Sequence, residues 1–261
     1  MTGARTSMEL HELAVTRWGL RALAVVALLG LAFAVTADGT VSPLILPSPD
    51  VIWDALWERI GTAEFRADLW RTLREIAASS AIGVVAGVAV GIASWRFPRF
   101  GAVLEPYLAA LYAMPTIAFY PILLAVMGLG SGPIILIAAV MVFVPVVLNT
   151  VIGLRGIRPV LIKMGRSVNC SSRQLFFKVL LPASAPLVFP GIRLGVMYGV
   201  TSTIATEFIL ADQGLGYRIN HDYDNFVIPR MWAGIVIVVL LAMAIMSALS
   251  LVERRIRSDL A

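Results

Sequence analysis

Six apolar runs, separated by short stretches that hold most of the charge, constrain this chain more than any other feature. They occupy residues 22–37, 76–95, 102–127, 133–152, 187–211 and 231–252. A helix that crosses the hydrocarbon core of a bilayer needs about 20 apolar residues. Inside that core every backbone N–H and C=O must find its partner within the protein, which for single runs of this length means α-helix. The expected fold class is an all-α polytopic membrane protein of about six transmembrane helices, with residues 1–261 forming a single domain. Only 14% of the 261 residues are charged, against about 25% in an ordinary globular domain, so a soluble enzyme is excluded. The first run ends in Val35-Thr36-Ala37 and can be read as a signal peptide or as an uncleaved helix; the uncleaved helix is the preferred reading.

The basic residues orient the helices. With the N-terminus inside, the inner segments hold Arg5, Arg17, Arg21, Arg96, Arg99, Arg155, Arg158, Lys163, Arg166, Arg173, Lys178, Arg254, Arg255 and Arg257. The outer segments hold only Arg59, Arg66, Arg71, Arg218 and Arg230. Positive charge is retained on the cytoplasmic side, so both termini are expected in the cytoplasm of a multi-pass inner or plasma membrane protein. The charges fall where topology puts them, which removes the case for a nucleic-acid partner. The outer segment 38–71 contains Val51, Ile52, Ala55, Leu56, Trp57 and Ile60 at helical spacing, the pattern of a short helix lying at the membrane surface.

Several chemistries are missing. The only lysines, Lys163 and Lys178, follow Ile162 and Phe177, so the Gly-Lys pair of a phosphate-binding loop is absent. The histidines, His11 and His221, stand far apart, and Cys170 is the single cysteine, which leaves neither a serine–histidine centre nor a metal site. Catalytic residues and metal ligands are expected to be none.

The segment 154–182 is the most informative. Val160, Leu161, Met164 and Val168 recur at helical spacing, Ser171 and Gln174 form a Ser-x-x-Gln capping box, and Leu175, Phe176, Val179 and Leu180 give a second helix an apolar face ahead of Leu181-Pro182. A helix, a turn and a capped helix make a knob outside the membrane. Within the spans, polar groups are costly and usually face a cavity or another helix. Arg74, Glu75 and Glu105 sit at predicted boundaries, where solvation explains them; Asn149, Arg193, Tyr198, Thr201 and Glu207 lie deeper.

The order of residues in the knob resembles the cytoplasmic loop of the inner-membrane permeases of ATP-binding-cassette importers: Glu-Ala-Ala, three residues, Gly, then Leu-Pro with the proline thirteen residues after the glycine. Here Lys163-Met164-Gly165 occupies the Glu-Ala-Ala place, Asn169 the glycine place, and Leu181-Pro182 the terminal pair. The nitrate, taurine and sulfonate branch is the nearest likeness, through Leu46-Pro47-Ser48-Pro49, Met114-Pro115 with Pro121, Phe143-Val144-Pro145 with Asn149, and Glu207 followed by Gly214-Leu215-Gly216-Tyr217. The resemblance implies the type I importer permease fold and a non-catalytic subunit for a small solute such as nitrate, taurine, a sulfonate or another organic anion. It also implies two ATPase subunits that carry ATP and Mg, a second permease copy or a non-identical permease, an extracytoplasmic binding protein, and membrane lipid. The ATPase-coupling residues it implies are Lys163, Met164, Gly165, Arg166, Val168, Asn169, Gln174, Leu181 and Pro182. Its pathway residues are Met114, Asn149, Arg193, Tyr198, Thr201 and Glu207. The rival reading is a secondary carrier or channel that needs no ATP.

Overall fold

The computed structural model describes residues 45–258 together with Gly30, Thr36 and Ser42. The run 22–37, its flanking Arg17, Trp18 and Arg21, and His11 are thus almost wholly outside the described residues.

Helix α1 (Pro49–Ile60) begins where Pro49 supplies a helical φ at the first turn, and it carries Asp50 at its start and Arg59 at its end, each complementing the helix dipole. The Ser48 side chain and the free backbone N–H groups hold the Asp50 carboxyl below its ordinary range. Trp53 and Trp57 stay exposed and meet edge to face at 5.7 Å, while Ala55 and Leu56 are buried. A helix with one buried side thus forms where the apolar spacing predicts a helix. In α2 (Ala63–Arg96) the Thr62 hydroxyl accepts from the Phe65 N–H at 3.2 Å and caps the helix.

The run 102–127, expected as one span, is broken. Helix α3 (Pro98–Ala113) stops at Met114, whose ψ of 142° is extended; a 3₁₀ turn (Thr116–Phe119) follows, then α4 (Tyr120–Met127), bent 91° from α3. Pro115 is the cause. It has no N–H to donate and crowds the residue before it out of helical geometry. Gly128 and Gly130, at φ 76° and 139°, then turn the chain into α5 (Ser131–Arg155).

Helix α5 is the centre of the structure, held between α2 and a second long helix, α8 (Leu181–Leu210). Membrane helices associate through close backbone approach because lipid leaves no hydrophobic force between them. Gly83, Gly87 and Gly91 on α2 receive Val142, Val146 and Thr150 of α5; a Cβ at Gly83 would lie 2.5 Å from the Val142 Cβ and 2.7 Å from the Ala139 carbonyl oxygen. Gly195 of α8 meets the opposite side, where a Cβ would lie 2.7 Å from the Val142 oxygen. Alternating valine and glycine therefore let three backbones stack.

Between α5 and α8 lie α6 (Pro159–Ser167), α7 (Ser172–Leu175) and a π-helical turn (Phe176–Leu180). After α8 come α9 (Leu215–Asp224) and α10 (Ile228–Ser258). Among the described residues four helical stretches are long and apolar enough to cross a membrane, five if the bent pair counts as one span.

Candidate functional site

The candidate residues fall at two ends of the bundle and on one face between them. At the first end, α6 runs from Pro159 to Ser167 and closes with a Schellman motif: Cys170 N–H donates to the Gly165 carbonyl at 3.1 Å and Asn169 N–H to the Arg166 carbonyl at 3.0 Å. Asn169 occupies the left-handed position at φ 54°. Asparagine is the non-glycine residue that best tolerates it, so the place a glycine would take keeps its turn. The capping box also forms: Gln174 N–H donates to the Ser171 hydroxyl at 3.3 Å, and Ser171 N–H to the Gln174 Oε1 at 2.9 Å. The chain then winds without a break through the π turn into α8, since Phe176, Leu180 and Leu181 all have helical dihedrals. Pro182 withholds the N–H that the Lys178 carbonyl would receive in α register, and the turn ahead of it widens.

Gly165 is buried because α6 lies directly on Leu175, where a Cβ would collide. Leu154, Ile157 and Leu180 root this knob against Trp95, Leu161 and Phe176. Lys163, Met164, Arg166, Val168, Asn169 and Gln174 remain exposed, Leu181 is marginally so and Pro182 half-buried. The exposed members of this group thus share the outer surface of the knob, while Gly165 lies beneath it.

At the other end a polar network ties α9 to α2 and α8. The N–H groups of Gly214, which precedes α9, and of Leu215 and Gly216 at its start have no intrahelical partner. Gly214 N–H donates to the Asp68 Oδ1 at 2.9 Å, Leu215 N–H to the Thr72 hydroxyl at 2.9 Å, and Gly216 N–H to the Glu207 Oε2 at 2.8 Å. The Thr72 hydroxyl in turn donates a hydrogen bond to Glu207 Oε1 at 2.7 Å. Gly214, at φ 109°, must be glycine twice over, for a Cβ there would also stand 2.5 Å from the Glu207 carboxyl carbon. Arg218 bonds Asp68 through Nε at 2.9 Å, and Arg71 bridges Glu75 at 3.1 Å and Asp212 at 3.2 Å. Arg59 and Asp222 form a second buried pair at 2.7 Å that joins α1 to α9. Sequence reasoning missed Asp68, Thr72 and the burial of Glu75. The spacing of Asp68, Thr72 and Glu75, which puts them on one helical face, was the available signal.

The structure scatters the pathway candidates. Tyr198 packs edge to face on Tyr112 at 5.8 Å, which brings the end of α3, with exposed Met114, beside the middle of α8, where Thr201 is exposed and bonded to the Met197 carbonyl. Asn149 donates to the Pro145 carbonyl at 2.8 Å within α5 and packs on Gly191. Arg193 stands 3.6 Å from Glu253 near the knob end. Glu207, expected beside the pathway, is wholly buried with both oxygens engaged as the cap of α9. Glu75, expected at a solvated boundary, is 1% exposed, while Arg74 is exposed over the Trp70 ring.

A family model described as "binding-protein-dependent transport system inner membrane component" matches residues 79–258. The taurine transport system permease protein TauC of Escherichia coli is 28% identical over 83% of this chain and 80% of its own length. The putative aliphatic sulfonates transport permease protein SsuC of Bacillus subtilis is 28% identical over 84% and 79%. The riboflavin transport system permease protein RibX of Chloroflexus aurantiacus is 27% identical over 96% and 94%. Among solved structures, an inward-facing MetNI methionine ABC transporter chain superposes with a TM-score of 0.63 at 19% identity, over 74% of this chain and 96% of that one, which shows a shared fold.

Proposed function

The chain belongs to the family of binding-protein-dependent transport system inner membrane components and is a permease subunit of an ATP-binding-cassette importer, and from that premise we propose that it carries a small anion of the sulfonate or nitrate kind inward, powered by separate ATPase subunits. Relatives named for taurine, aliphatic sulfonates and nitrate support that solute class. The observation that carries the coupling is the knob: two short helices locked by Gly165 on Leu175, presenting Met164 and Val168 to an outside partner and continuing unbroken into α8. A push on α6 reaches the middle of the membrane through one rigid element. ATP and Mg belong to the partner, and two ATPase subunits serve two permease copies.

In this reading the knob and both termini lie in the cytoplasm, and the α9 end faces the binding protein. Met114, Tyr198 and Thr201 line the route together with Tyr112, since the hydroxyl and thioether groups of exposed Tyr112, Met114 and Thr201, beside half-buried Tyr198, are better placed against a water-filled passage or a second copy than against lipid. Arg193 and Asn149 lie nearer the knob, and Glu207 acts on the route by holding α9.

The test is co-purification in detergent followed by ATPase and taurine-uptake assays in liposomes. An ATPase subunit that accompanies the intact chain and is lost when Lys163, Met164 and Arg166 become alanine supports the proposal. A chain that purifies alone and moves taurine without ATP overturns it in favour of a secondary carrier.

A further inference from the structure

Residues 154–182 contain six cations, Arg155, Arg158, Lys163, Arg166, Arg173 and Lys178, and no Asp or Glu. All six are exposed, and none forms an ion pair with a described residue. Six unneutralised charges on one small knob repel each other, a cost that a partner of opposite sign removes.

Anionic lipid is one candidate for that partner. Trp95, which ends the apolar run of α2, packs on Phe176 at 6.2 Å, and Leu154 packs with Leu180, so the base of the knob stands close to the membrane boundary, and Arg155 and Arg158 are within reach of lipid headgroups. The cations farther along the segment are Lys163, Arg166 and Arg173. Around those three lie Met164 and Val168, at 62% and 72% exposure. Apolar groups this exposed, ringed by charge, describe a protein interface with a dry centre and a charged rim.

We infer that the partner surface receiving this knob is acidic, and that Lys163, Arg166 and Arg173 select the ATPase subunit by charge while Met164 and Val168 supply its apolar grip. The inference rests on the ATPase-docking reading above and adds the sign and the selecting residues. A permease whose knob carried a carboxylate at position 163 would be turned away by the same surface, so the three cations set partner choice among related importers.

The experiment uses the permease–ATPase complex, immobilised through the permease, its ATPase identified by ATP hydrolysis, with retention followed as sodium chloride rises. Exposed pairs contribute little singly, and three together give about a 10- to 100-fold weaker association for K163E/R166E/R173E. The wild-type complex should dissociate progressively with salt. M164A/V168A should weaken binding while leaving the salt dependence unchanged, and replacing acidic residues of the ATPase by lysine should restore binding to the charge-reversed permease. Salt-independent retention together with full binding by K163E/R166E/R173E overturns the acidic surface; if M164A/V168A still loses the ATPase, docking at the knob survives that failure. Full retention by both variants overturns the docking reading itself. Loss of flotation with phosphatidylglycerol vesicles on charge reversal, with ATPase binding intact, assigns the cations to lipid and refutes the inference.

Discussion

Replacing Thr72 by valine tests whether the polar network holds the α9 end. The side chain is fully buried, and valine matches its shape, so no cavity opens. What changes is the hydroxyl, which donates to Glu207 at 2.7 Å and accepts from the Leu215 N–H at 2.9 Å. Both partners are left buried without a substitute. A stranded buried polar group costs about 1–3 kcal/mol, so the two together cost about 2–6 kcal/mol locally. At about 1.4 kcal/mol per tenfold, the amides of Leu215 and Gly216 should exchange with solvent at least about 30-fold faster by local opening of α9. Hydrogen exchange with mass spectrometry in detergent reads this directly. Thr72→Ser, which keeps the hydroxyl, should stay within about tenfold of wild type. Equal protection in Thr72→Val and wild type would refute the claim that this hydroxyl and Glu207 fasten α9, leaving apolar packing to do so.

Gly87→Leu should prevent the α2–α5 approach, because a Cβ there already stands 2.8 Å from the Val146 Cβ and 3.0 Å from the Phe143 oxygen; overpacking costs about 1–3 kcal/mol or more, read as a lower melting temperature in detergent. Asn169→Val should cost about 1–2 kcal/mol by placing a branched side chain at φ 54°, whereas Asn169→Gly should not destabilise; protease sensitivity of the knob separates them. Arg59→Ala should destabilise by about 3–5 kcal/mol, since it strands Asp222 in a buried site, and Arg59→Met with Asp222→Leu should recover most of that loss in a thermal-shift assay.

Much of this fold could be read along the chain, wherever the controlling physics is local. Apolar runs announce α5 and α10 because a bilayer demands length and hydrophobicity of each span separately. The capping box at Ser171 and Gln174 forms as the sequence predicts, and the left-handed turn at Asn169 likewise depends on neighbours within a few residues. Hydropathy reads the continuous apolar run 102–127 as one span, yet Pro115 within it removes a donor and the helix breaks there by 91°.

The candidate site was legible only in part. The knob residues stand together because one short segment supplies them all. The α9 network joins residues as far apart as Asp68 and Gly214, or Thr72 and Glu207, and no local pattern states that pairing. Glu75 and Arg74 are adjacent in sequence, and yet one is buried and the other exposed. Hydropathy treats the two alike; a helix points them about 100° apart, and only the position of α8 determines which side is inside. The sequence by itself determined that this chain spans a membrane as helices and presents a capped, cationic knob, because span length, capping and charge are properties of short segments. Tertiary structure alone decided that glycines on α2 and α8 enclose α5 and that Asp68 and Thr72 of α2 join Glu207 in capping α9, because those outcomes depend on segments far apart in the chain being brought together.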